Sequence, residues 1–196
     1  MKKAFLLLGI LCISVMTTAC INNFAVQELN NKAKIFMEQG DYSSAIERLK
    51  SGIDLDPSVF ESHYNLAVAY TKAEDYLNAI KAYNDAIKLK PEFADSYYSL
   101  AVCEENLAQD IINTDVKIDE NGNIVKNGSI DNNATAGDKK LSEDDYNYII
   151  ELLKSSIKHY QTYLEKSSSP PDKEDVIAQT DELNKRIEEL GKKEAE

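Results

Sequence analysis

The chain has 196 residues, with 43% hydrophobic residues and no tryptophan, a size and composition that fit one globular domain. It carries 22 Lys and Arg against 34 Asp and Glu, a net charge of −12, which argues against nucleic acid as a partner. Three cysteines and two histidines, His63 and His159, stand at no metal-ligand or catalytic spacing, so the sequence gives no metal, no cofactor and no enzyme.

Residues 1–19 read as a signal segment rather than as part of the fold. Lys2 and Lys3 form a basic start, and Ala4 to Met16 is an apolar run too short to span a bilayer. Thr17-Thr18-Ala19-Cys20 then resembles the lipobox of bacterial lipoproteins, with Thr17 where leucine is usual. That resemblance implies an acylated Cys20 as the first mature residue, a tether over 20–25, and attachment to one leaflet of a membrane. Losing Lys2 and Lys3 takes the net charge from −12 to −14. Cys12 leaves with the signal and Cys20 carries lipid, so Cys103 has no cysteine to pair with in one mature chain.

From Gly40 to Pro91 one pattern is written twice. Gly40-Asp41-Tyr42-Ser43-Ser44-Ala45-Ile46 returns 34 residues later as Glu74-Asp75-Tyr76-Leu77-Asn78-Ala79-Ile80. The same offset pairs Ile53 with Ile87, Leu55 with Leu89 and Pro57 with Pro91, the mark of stacked helix–turn–helix units. Small residues recur at Ala33, Ala45 and Gly52, then at Ala67, Ala79 and Ala86, where helices must cross closely. Phe36 and Tyr70 supply the recurring aromatic, and the two prolines close each pair. In this pattern the chain resembles the tetratricopeptide repeats. The resemblance implies an all-α solenoid of about three helical pairs, with repeats at 26–59, 60–93 and 94–110 plus 143–169.

The third repeat begins on schedule at Pro91-Glu92-Phe93-Ala94, and Cys103 takes an inward position on its first helix. An insertion over 111–142, rich in Asn, Asp and Gly, separates its two helices. Within it, β-branched residues flank Asn121-Gly122, which predicts a small β-hairpin. Asp119, Asn121 and Asn123 alternate like the start of a calcium loop, but Ile124 and Ile130 break that pattern. Helical periodicity resumes through Ile149, Leu153, Ile157 and Tyr160. A capping helix over 172–190 follows Pro170-Pro171, with Val176, Leu183 and Leu190 on its apolar stripe and Gly191 as its stop. The domain so bounded is 26–191, and 192–196 is a tail.

The resemblance implies a concave groove lined by first helices, where the family binds a segment of a partner protein. By register the groove positions are Asn30, Lys34 and Met37, then Tyr64, Val68 and Thr71, then Tyr98, Val102 and Glu105. The family's clamp for a terminal carboxylate is broken: Asn65 matches it, but Lys34 replaces an asparagine, and Asp95 and Ser99 stand where cations belong. The expected function is a membrane-anchored adaptor in a bacterial envelope, on the outer membrane facing the periplasm, binding another envelope protein through a peptide segment. The alternative is a ligand-binding accessory lipoprotein of a transport system.

Overall fold

Aspartate and proline punctuate the helices where the repeat places them. A computed structural model describes residues 23–113, 116–118, 124–126 and 141–194. Residues 1–22, where the sequence places a signal segment and Cys20, and residues 119–123 lie outside the described residues. Helix α1 covers residues 23–38, followed by α2 (Tyr42–Leu55), α3 (Phe60–Lys72), α4 (Tyr76–Leu89) and α5 (Ala94–Ile112). Asp41 and Asp75 cap α2 and α4, their carboxylates accepting from the Ser44 and Asn78 amides at 3.0 and 3.3 Å. α2 and α4 stop at Leu55 and Leu89, each two residues before a proline.

Between α5 and α6, strands β1 (Val116–Ile118) and β2 (Ile124–Lys126) pair antiparallel, with Lys117 opposite Val125. Helix α6 (Glu143–Lys166) starts at a capping box. Ser142 Oγ accepts from the Asp145 amide at 3.1 Å, and the Asp145 carboxylate accepts in return from the Ser142 amide at 2.9 Å. Helix α7 (Lys173–Glu194) does not stop at Gly191, contrary to the sequence expectation, and runs three residues further. Buried Leu190 secures its last full turn, and a helical glycine costs only about 1 kcal/mol. Among the described residues, no helix is long and apolar enough to cross a membrane.

The chain divides into two compact units between Glu74 and Asp75. In the first, α1, α2 and α3 meet around Gly52. A Cβ placed there would lie 3.8 Å from Leu29 Cβ and Ser62 Oγ, and 3.9 Å from Val26 Cγ1. A methyl group fits that space and a longer side chain does not. Ala33, Ala45 and Ala67 are fully buried, which is why the register spells small residues there. Gly40, after α1, sits at φ 76°, and Glu74, at the same place after α3, sits at φ 57°. Glycine adopts that left-handed cap without a Cβ penalty, and glutamate does not.

The second unit holds α4 to α7 around a larger apolar core. Leu107, Ile111, Ile149, Leu153, Ile157, Tyr160, Val176 and Leu183 form its centre. Ile111 is buried, so α5 earns two more residues than the repeat register allots it. Cys103 is fully buried at its inward position. Ala79 and Ala86, the small residues of the second copy, are fully buried as well.

Candidate partner-binding cleft

In the first unit, two polar runs converge on one cleft. One face of α1 carries Asn23, Gln27, Asn30, Asn31 and Lys34, at intervals of one helical turn. Opposite lies the start of α3, with Phe60, Glu61 and Asn65, reached through Ser58 and Val59. The space between them measures about 580 Å³. The turn that brings Ser58 to its rim is held by Asp56, whose Oδ1 accepts from the Ser58 amide at 2.9 Å and its hydroxyl at 2.6 Å. The hydroxyl bond first, then the amide bond, holds the Asp56 carboxyl below its ordinary value of 3.8.

Asn30 forms the floor. It is 8% exposed, and its Nδ2 donates to Val26 O at 3.0 Å and to Ser62 Oγ at 2.8 Å. Its Oδ1 accepts from Asn65 Nδ2 at 3.1 Å. Both amide hydrogens and the carbonyl are thus engaged, so Asn30 shapes the cleft and orients Asn65. Lys34 is exposed at the rim, while Met37 is half-buried. Tyr64 is half-buried and stacks on Phe60 with ring centres 5.7 Å apart. Val68 and Thr71 are half-buried, and Thr71 Oγ1 donates to Ala67 O at 2.9 Å.

The remaining three register positions lie in the second unit and are engaged differently. Tyr98, 36% exposed, packs against Tyr160 and Tyr163 with ring centres 5.6 and 5.2 Å away. Glu105 accepts from Gln179 Nε2 at 2.6 Å and from Tyr160 OH at 3.3 Å. Val102 is half-buried beside them. Burial first, and the Glu105 carboxylate second, raise the Tyr160 phenol well above its usual range. Burial also raises Tyr163, and its bond to Asp172 Oδ1 at 2.7 Å adds to this, pushing it up to about 12.

A polar cluster that the sequence does not announce joins α5 to α6. Glu104 is 4% exposed; its Oε1 accepts from Ser155 Oγ at 2.7 Å and its Oε2 lies 2.8 Å from His159 Nδ1. These partners are 51 and 55 residues away, beyond any local motif. The carboxylate sits between the serine and the imidazole, so His159 does not take the serine proton as a nucleophile's base would. The cluster is a cross-link between helices, supported by Ser156 Oγ donating to Ala101 O at 3.0 Å. By contrast, the Oγ of buried Ser96 has no hydrogen-bond partner among the described residues.

Most of the first unit's described helices and the start of the second unit match a known family. The tetratricopeptide-repeat family matches residues 30–92 and 69–108. No curated protein matches the chain. Among solved structures, the chain is similar to the first TPR of Spaghetti (RPAP3) bound to an HSP90 peptide, with TM-score 0.56 and 16% identity over 83% of this chain and 93% of that one. It is likewise similar to the second TPR domain of human RPAP3 in complex with an HSP70 peptide, with TM-score 0.56 and 15% identity over 83% and 98%. The Sgt2 TPR domain from Aspergillus fumigatus aligns with TM-score 0.50 and 14% identity over 85% and 82%. Identities this low speak to the fold. Residues 30 to 108 thus match the tetratricopeptide-repeat family, and the described helices share the fold of those solved domains.

Proposed function

We propose that the chain is a membrane-anchored adaptor of the bacterial cell envelope that binds an extended segment of a partner protein in the cleft between α1 and α3. The carrying observation is the lining of that cleft, where Gln27, Asn31, Asn65 and Lys34 stand around the Phe60 ring. Amide side chains both donate and accept, which suits a peptide backbone, and an aromatic wall suits one apolar anchor. The RPAP3 domains hold HSP90 and HSP70 peptides, which supports a peptide as the type of occupant. Acylation of Cys20 provides the membrane attachment, with the repeats facing the periplasm from the outer membrane. The partner belongs to an envelope, pilus or secretion assembly.

The alternative, a small-molecule accessory to a transporter, draws on the cleft volume of about 580 Å³. Its lining, as much polar as apolar, favours the peptide, because small-ligand pockets are mostly apolar. Capture from envelope extract separates the two. The chain from Ile21 onward retains one partner, and a Lys34→Glu/Phe60→Ala variant with intact circular dichroism loses it. Equal capture by both would move the site elsewhere, and capture by neither would favour a small ligand.

A further inference from the structure

We infer that the partner segment carries one acidic and one basic side chain three residues apart, the acid facing Lys34 and the base facing Glu61. This rests on the peptide-binding role proposed above for the cleft between α1 and α3, and names the chemistry of the segment held there. Lys34 and Glu61 are the two charged residues that line the cleft. Both are exposed, and neither forms an ion pair among the described residues. Three other surface lysines do pair on their own helices: Lys32 with Glu28, Lys88 with Asp85 and Lys185 with Glu182. Lys34 does not, although Glu38 stands one turn further along α1.

The bridge between the helices fixes where the two charges stand. Asn30 bonds both Ser62 and Asn65, so it sits level with the first turns of α3. Lys34 lies one turn past Asn30 on α1, and Glu61 one turn before Asn65 on α3. The two helices run the same way, because α2 folds back between them. At about 1.5 Å per residue the charges are therefore roughly 10 Å apart along the cleft, on opposite lips. An extended chain rises about 3.3 Å per residue, and side chains three apart point to opposite sides. Three residues thus span the same roughly 10 Å, and one segment meets both charges. Gln27 and Asn31 make no side-chain hydrogen bond among the described residues, which leaves their amides for the backbone between. The net charge of −12 draws basic segments from any side, but this pull is screened beyond about 10 Å at ordinary salt. Register comes from Lys34, where an acid is favoured.

The test selects random peptides displayed on phage against the full lipidated chain in detergent, with every variant checked by circular dichroism. The wild-type chain should enrich peptides with Asp or Glu three residues from Lys or Arg. Lys34→Glu should shift the selection to two basic residues at that spacing, and Glu61→Lys to two acidic ones. Lys81→Glu, at an exposed site in the second unit, changes the net charge as Lys34→Glu does and should leave the selection unchanged. In a synthetic copy of an enriched peptide, replacing either charge by glutamine should weaken binding about two- to five-fold. A copy with lysine for its acid should bind Lys34→Glu better than the wild type. Enriched peptides without the pair, or equal shifts from Lys81→Glu and Lys34→Glu, overturn the inference; if Phe60→Ala abolishes their binding, the cleft still holds a peptide. Peptides that bind Phe60→Ala as well as the wild type, or no enrichment at all, refute the cleft as the site and the inference with it.

Discussion

Asn30 and Tyr98 occupy the same place in two copies of one repeat, yet they do different work. In the first unit Asn30 ties Ser62 and Asn65 together and leaves open space above them. In the second unit Tyr98 keeps 36% of its surface exposed but packs one side against Tyr160 and Tyr163, and Glu105, three positions past Val102, is bound by Gln179 of α7. A solenoid needs a soluble end, and a helix that provides it consumes neighbouring first-helix positions. Register therefore says which residues face inward, and the packing of each unit decides whether any is left for a partner.

Truncating the two cores gives the largest effect. Leu49→Ala in the first unit and Leu153→Ala in the second should each cost about 2–5 kcal/mol, since both side chains are fully buried. Amide exchange should rise among α1–α3 for the former and among α4–α7 for the latter. Next come the two polar cross-links. Asn30→Ala and Glu104→Ala should each cost about 1–3 kcal/mol by stranding their buried partners. Only Asn30→Ala should also weaken partner capture, and loss of capture in both would merge the roles we separate.

The helix caps give a smaller pair of opposite sign. Gly40→Ala should lose about 1 kcal/mol and Glu74→Gly should gain a similar amount, because both positions have positive φ. Equilibrium unfolding in urea measures both. The last effect is confined to alkaline pH. The folded chain holds the Tyr163 proton until about 12, against an ordinary value of 10. Its stabilisation is thus complete below pH 10 and lost as pH rises toward 12. Tyr163→Phe should flatten that part of the stability profile, and an unchanged slope would remove Tyr163 from the account.

Close helix crossings are legible in a sequence because they demand small residues at fixed intervals. Ala33, Ala45, Ala67, Ala79 and Ala86 are all fully buried for that reason. Helix caps are legible because Asp41 and Asp75 act on neighbours three residues away. The cleft was legible only in part. Asn30 and Lys34 follow from the register, but Asn23, Gln27 and Ser58 depend on how α1 and the Asp56 turn approach each other. Glu104 and His159 were not legible, because 55 residues and an insertion separate them. Gly191 misled, since a buried Leu190 outweighs the stop signal beside it.

The most direct test of an open first unit and a closed second one is photo-crosslinking in intact cells. A benzophenone amino acid placed at Lys34 or at Val102 of the full chain reports what lies within reach of each. We expect a specific adduct to one envelope protein from position 34, and none from position 102. An adduct from 102 with none from 34 would contradict the account, and would place the partner on the helices that we describe as already occupied.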